Sequence, residues 1–343
     1  MAKSAIFALV FVVGALVLLQ NQTNAFTSTT NTPSAQVESY IVQLFAQWTH
    51  KHGKVYASND EKIYRILVFR ENVLKIQKHN SLKKSYSLAI NQFADLTAEE
   101  FKAKYVSLKK PSTSHVLNLS YLNTDNVPES VDWRQQGVVG PVYDQSQCGS
   151  CWAFSAVAAL ESLNAKSTGV FTRLSEQELV DCSGPQGNEG CHGGLIDYAF
   201  EYVKENGIET EAQYPYKGRD QKCNAQKGAA FFRINGYVDV PPNDNSQLEA
   251  AVAQGVVSVA IEADTEVFQF YESGIIDDEA CGTELDHGVA VVGYGVEKGR
   301  SFWIVKNSWG GSWGDKGYVK ILKDNGPSEG VCGIALAASY PTL

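Results

Sequence analysis

Between Val37 and His52 the apolar residues fall at Val37, Ile41, Leu44, Phe45 and Trp48, a three-and-four spacing that predicts a helix with one buried face. A second and longer helix is expected from about Asn59 to Ser81, where Glu61, Arg65, Phe69, Asn72, Ile76 and Asn80 recur every three or four residues and so share a face. Farther on, Thr97 precedes Glu100 by three residues, the pattern of a capping box at a helix start. The run Gln145-Ser146-Gln147-Cys148-Gly149-Ser150-Cys151 passes from turn-forming residues into a helical pattern at Ala156, Val157, Leu160 and Leu163. Helices are also expected after Leu174, with Ser175 and Glu178 spaced as a capping box, and from Leu195 to Glu205. Beyond about Phe231 the pattern changes. Runs such as Val256 to Ile261, Gly288 to Val292 and Ser301 to Lys306 alternate with glycine-containing turns and predict an antiparallel barrel or sheet.

Before the first helix, Ala5 to Leu19 is apolar apart from Gly14, follows Lys3, and gives way to the polar stretch Gln20 to Asn24. This reads as a secretory signal over residues 1–25, cut after Ala25. It is too short for a membrane anchor, which needs roughly 20 apolar residues. Phe26 to Gln36, rich in Thr, Ser, Asn and Pro, is expected to have little fixed structure.

Charge divides the chain of 343 residues unevenly: residues 1–126 carry +6 and residues 127–343 carry -15, giving the net -9. Opposite signs favour association of the two segments, and acid would weaken it by protonating carboxylates. The alternative is two ordinarily solvated surfaces. The acidic larger segment argues against nucleic acid as a partner.

All seven cysteines, at 148, 151, 182, 191, 223, 281 and 332, lie in that acidic segment. An odd number leaves one thiol over. Cys151 is the leading candidate nucleophile, because a helix start offers unpaired N–H groups and a positive dipole end to a thiolate, which should lower its pKa. If Cys151 is free, the other six allow 15 pairings. A Cys148/Cys151 redox pair is the competing reading, and no Cys/His cluster has zinc-site spacing. A thiolate needs a general base, and only His192 and His287 lie beyond Val127. His192, between Cys191 and Gly193-Gly194, fits a cleft-lining loop better, whereas His287 precedes a strand-like run that can hold an imidazole rigidly.

Cys148-Gly149-Ser150-Cys151-Trp152, and the 136 residues separating His287 from Cys151, resemble the papain and cathepsin signature. Glu61, Arg65, Phe69, Asn72, Ile76 and Asn80 also match, in order, the inhibitory prosegment of cathepsin L-like precursors. Asn91, Phe93 and Asp95 are similar to a further element of that prosegment, with Ala89 where a glycine is usual. The chain from about Val37 to Leu343 thus resembles a papain-family, cathepsin L-like cysteine protease precursor.

That resemblance implies an α+β, papain-like fold of two lobes, one helical and one an antiparallel β-barrel, preceded by a helical prodomain. It implies an inhibitory prosegment over 26–126 and a peptidase domain over 127–343. The polar connector from Lys109 to Asn126 would cross the cleft before maturation, and Asn118-Leu119-Ser120 in it is a glycosylation sequon. Disulfides Cys148–Cys191, Cys182–Cys223 and Cys281–Cys332 are implied. So are the roles of His287 as base, Asn307 as the group orienting it, Trp309 as its shield, and Gln145 with the Cys151 N–H as oxyanion donors. Gly193, Gly194, Leu195, Ile196, Ala260, Leu285, Asp286, Trp309 and Ala337 would meet substrate, with the apolar ones selecting a hydrophobic side chain two residues before the cut.

No metal or organic cofactor is implied. The implied partners are protein and peptide substrates, the chain's own prosegment as inhibitor, and cystatin-type inhibitors, for a monomeric mature enzyme without stable membrane insertion. The implied destination is the secretory pathway, ending in a lysosome-like acidic compartment or outside the cell. A non-catalytic binding protein on the same fold is the alternative.

Overall fold

Helix α1 (Pro33–Lys51) starts earlier than the apolar stripe predicts, with Pro33 at its first position, where a fixed φ and a missing N–H are no handicap. The computed structural model describes residues 33–109 and 117–343 except 227 and 325, so the expected signal and part of the connector lie outside the described residues. The second helix, α2 (Asn59–Ser81), has the expected bounds.

The chain divides into two compact units between Leu74 and Lys75, inside α2. In the first, Phe45, Trp48 and Phe69 pack with ring centroids 5.1 to 6.0 Å apart, and Ile41 and Val73 are buried with them. Arg70 pairs with Glu38 at 3.1 Å, tying α2 to α1.

The second unit begins at Lys75, well before residue 127. Ile76, Tyr86, Leu88, Phe93, Leu96, Phe101 and Val106 all belong to a core shared with residues beyond Val240, which is why the compact division does not follow the expected segment boundary. Strand β1 (Tyr86–Leu88) and helix α3 (Ala98–Tyr105) lie in this stretch. Helix α3 has the predicted capping box, with Thr97 Oγ1 accepting from Glu100 N and Glu100 Oε2 from Thr97 N.

Three helices then gather the second core: α4 (Cys151–Thr168), α5 (Glu176–Cys182) and α6 (Ile196–Asn206). The box expected at α5 is only half formed. Ser175 Oγ accepts from Glu178 N, but the Glu178 carboxylate is taken by Tyr202 and by Glu209 N, a tertiary use that outcompetes the local one.

The remaining elements form the sheet face: β2 (Val131–Asp132), β3 (Gly236–Asp239), α7 (Asn245–Gln254), β4 (Val257–Ile261), α8 (Glu266–Gln269), β5 (Tyr271–Ile276), β6 (His287–Glu297), β7 (Arg300–Lys306), β8 (Tyr318–Leu322) and β9 (Ala338–Thr342). The strand order is β1-β5-β8-β7-β6-β4-β9-β3, with β2 beside β6. Among the described strands only β5 and β8 pair in parallel. Strand β1 pairs with β5, so the segment expected to be helical also lends a strand to the sheet.

Candidate active site

The two candidate reactive residues come from different elements. Cys151 is the first residue of α4, where the preceding turn-formers stop and the apolar pattern begins. His287 opens β6, paired with Ile261 of β4, and its neighbour Gly288 directs a backbone N–H at the Cys151 sulfur. The His287 ring donates from Nε2 to Asn307 Oδ1 at 2.8 Å, leaving Nδ1 without a hydrogen-bond partner among the described residues and available for proton transfer. Trp309 lies over this pair, its ring centroid 4.6 Å from that of His287, and is itself buried.

Gln145 is fully buried, its carboxamide fixed by Ser308 Oγ donating to Oε1 at 2.7 Å. Its Nε2 donates to two carbonyls, Cys148 O at 3.0 Å and Tyr105 O at 3.1 Å. The second acceptor belongs to the last residue of α3. Residues Tyr105–Lys109 form a strap over the cysteine: Leu108 N donates to Asp286 O at 2.8 Å and Lys109 N to Gly194 O at 3.0 Å, while the Ser107 N–H points at the sulfur. Gly149 and Gly193 admit it, since a Cβ on either would collide with Ser107. Among the described residues the crossing lies at Tyr105–Lys109 and reaches the first residue of the expected connector, and residues 110–116 lie outside the described residues.

The strap overturns one expectation. Burial pushes the Cys151 thiol up, outweighing the Gly288 and Ser107 N–H groups, although the residue does sit at a helix start. Burial also pushes His287 down to about 4, against the Asn307 hydrogen bond. Both groups are neutral under the strap. Burial similarly raises the Asp286 carboxyl to about 7, although Ala263 N donates to it.

A cavity of about 530 Å³ beside the strap is lined by Leu195, Ile196, Ala260, Leu285 and Ala337, all expected to meet substrate. Asp197 and Glu284 also line it, and these the sequence did not single out. Gly193, Gly194 and Asp286 face the strap, and Trp309 packs under Phe93 and Phe101. His192 is exposed and lies near Asp220, away from any role over the thiol.

Sulfur pairs are Cys148–Cys191, Cys182–Cys223 and Cys281–Cys332, and Cys151 is the free cysteine. With Cys148 bonded to Cys191, the Cys148/Cys151 redox pair does not form. Sequence reasoning missed a buried cluster behind Asn307: Glu161, Glu176 and Lys306 line a small cavity of about 20 Å³ with Tyr143 and Ser308. Burial raises Glu161 to about 7 and Glu176 to about 8, and lowers Lys306.

The model of papain family cysteine proteases matches residues 127–342, and that of the cathepsin propeptide inhibitor domain matches residues 45–101. Cysteine proteinase RD21A of Arabidopsis thaliana is 45% identical over 318 residues, covering 91% of this chain and 68% of that protein. The KDEL-tailed cysteine endopeptidase CEP2 of the same plant is 47% identical over 315 residues, covering 89% and 86%. Digestive procathepsin L 3 of Tenebrio molitor larval midgut superposes with a TM-score of 0.81 at 42% identity, covering 88% of this chain and 99% of that structure. The chain belongs to the papain family of cysteine proteases, and is a cysteine endopeptidase zymogen with an inhibitory propeptide domain.

Proposed function

We propose that Cys151 and His287 act as a thiolate–imidazolium pair once the strap has left. The thiolate attacks a peptide carbonyl, His287 protonates the leaving amine, and water activated by the same imidazole releases the acyl group. Asn307 fixes the ring through Nε2, so that Nδ1 is the nitrogen that moves the proton. Gln145 Nε2 and the Cys151 N–H hold the developing oxyanion. The observation that carries this reading is that Gln145 already donates to a peptide carbonyl, that of Tyr105, beside the free thiol.

The same geometry accounts for latency. Dry cover keeps the thiol and imidazole neutral, so the strap is not attacked by the group it covers. Removing the strap lets water and the α4 dipole favour the thiolate. Acid should favour opening through His287. A histidine with a covered value of about 4 and an ordinary value of 6.5 stays neutral while covered, so the covered form loses stability as pH falls from about 6.5 to about 4.

Maturation near Val127, passage through the secretory route and preference for a hydrophobic side chain in the Leu195–Ala337 cavity complete the proposal. Asp197 and Glu284 on that cavity's wall make a comparison of Leu and Arg peptides the informative one, and faster cleavage of Arg peptides would refute the assignment. The mechanism is tested by alkylation. Cys151 should react slowly in the zymogen and fast after acid processing, with no labelling in Cys151→Ala. Equal rates in both forms would sink it, and so would activity surviving in Cys151→Ala, where a loss on the order of 10⁶-fold is expected.

A further inference from the structure

Past the strap, the connector meets the peptidase a second time, at a place with no candidate catalytic group. Among the described residues, strand β3 is the last strand of the sheet and no strand pairs with its outer edge. Against that edge lies the stretch Asn118–Leu122. Asp239 N donates to Asn118 O at 2.9 Å, Asn118 N donates to Asp239 Oδ2 at 2.5 Å, and Leu119 bridges to Asp239 in parallel sense. The Asn118 side-chain amide donates to Tyr237 O as well.

Four residues on, the Gln247 carboxamide of α7 grips the Leu122 main chain at both ends. Leu122 N donates to Oε1 at 2.8 Å, and Nε2 donates to Leu122 O at 3.0 Å. Gln247 is only 7% exposed, and both polar ends of its side chain are spent on the main chain of this one residue. A buried carboxamide without partners costs about 1–3 kcal/mol, so its presence here implies a backbone to receive. Leu122 packs against the larger hydrophobic core, whereas Tyr121 and Leu119 point outward. Backbone is read along the edge and one aliphatic side chain is read by the core, which is how a sheet edge recognises an extended peptide.

We propose that the outer edge of β3 and the Gln247 carboxamide form a second peptide-binding site. Its ligand class is an extended segment with an aliphatic anchor at the Leu122 position, and the connector strand is its resident occupant. The proposal rests on the reading that the chain is cut near Val127. The connector residues in these bonds lie N-terminal to that cut and their partners C-terminal to it, so cleavage alone breaks none of the bonds and does not release the connector. The fragment stays docked until it dissociates, and the vacated edge then accepts other segments of the same kind.

Two arms test this. In the first, full-length zymogen is processed in acid, blocked at Cys151 with an irreversible thiol reagent, and titrated with a fluorescein-labelled peptide of residues 118–126. Saturable binding is expected, weakened about tenfold or more by Gln247→Leu in the enzyme or by Leu122→Asp in the peptide. Gln247→Leu should leave the melting temperature and the hydrolysis of a small dipeptide amide unchanged. No saturable binding, or equal binding by the variants, overturns the proposal. In the second arm, an added protease should cut between residues 117 and 126 about tenfold faster in Cys151→Ala/Gln247→Leu full-length chain than in Cys151→Ala alone. An unchanged rate also overturns it. If N-terminal sequencing shows that the processed enzyme begins before residue 117, the maturation reading fails while the second arm still reads the site.

Discussion

Lysines and carboxylates meet in two regions of the second unit, and acid acts with opposite sign on Asp278 in one and on Glu161 and Glu176 in the other. Along the propeptide face, Lys84 pairs with Asp278 at 2.5 Å, Lys102 with Asp264 at 2.5 Å, and Lys75 and Lys109 with Glu266 and Glu189. Burial pushes Asp278 up, but the Lys84 and Tyr86 hydrogen bonds outweigh it and hold the carboxyl below the usual range. Its contribution is present above the ordinary value and is lost as pH falls through the depressed one. Behind Asn307 the order reverses. Glu161 and Glu176 are pushed up to about 7 and about 8 by burial, so the folded interior is favoured when they are protonated and loses stability as pH rises from about 4.5 toward 7 to 8. The same residue types stabilise at opposite ends of the pH scale because one set is wet and the other dry. Acid thus weakens the Lys84–Asp278 contact while favouring the protonated Glu161 and Glu176 of the interior.

The largest effect is expected where propeptide and active site use the same atom. Gln145→Ala removes a donor from the Tyr105 carbonyl and from the proposed oxyanion. Activity of the processed enzyme should fall in kcat by about 10²–10³-fold, about 2.7–4 kcal/mol in the barrier. Processing of the zymogen should at the same time tolerate higher pH. A change in KM alone would separate the two uses and break the link.

The interior half of the comparison is sharpened by Lys306→Met. Lys306 is the leading cation beside Glu161, while Arg173 lies 3.7 Å from Glu176, and removing Lys306 should cost about 1–3 kcal/mol at pH 8. At pH 5, with both carboxyls protonated, the loss should be much smaller. Urea unfolding of the full-length chain at the two pH values reads this directly. Equal losses would mean that the cluster does not titrate as its burial dictates.

The propeptide half is tested by Thr97→Ala. One of the two hydrogen bonds of the box at α3, from Glu100 N to Thr97 Oγ1, depends on this side chain, and loss of such a cap costs about 1 kcal/mol. Because α3 leads directly into the strap, processing should quicken at neutral pH while the melting temperature of the processed enzyme stays put. A drop in the latter would place α3 in the enzyme's own stability.

These contrasts also mark what could be read before the fold was known. The bounds of α2, the box at Thr97 and the start of α4 at Cys151 are local matters of spacing and capping, and the residues carry them. His287 was reachable because elimination and spacing left few alternatives, whereas Asn307 was reachable only through the family resemblance. Ser107 carried no signal: a serine in a polar stretch becomes a cover only when the strap is laid across Gly149 and Gly193. Tyr105 matters through its carbonyl, a group every residue has. The thiol's reversal of direction followed from the same cause, since a helix dipole is local and burial is not. Glu161, Glu176 and Lys306 are far apart in sequence and meet only through the packing of α4, α5 and β7.

The smallest expected effect belongs to the surface pairs, and it decides how much of the grip is electrostatic. Lys102 and Asp264 meet at 2.5 Å, but the lysine side chain is 60% exposed, so the pair is worth about 0.2–1 kcal/mol and is screened by salt. Lys102→Gln should therefore shift the pH at which processing begins only slightly upward. The shift should shrink further as salt rises from about 0.01 to 1 M, over which the screening length falls from about 30 to 3 Å. Lys84→Gln should behave alike, and the double variant should add, because Asp278 and Asp264 share no partner. A large, salt-insensitive shift from either single change would mean that the wet pairs, rather than the dry cover over His287, set the acid response.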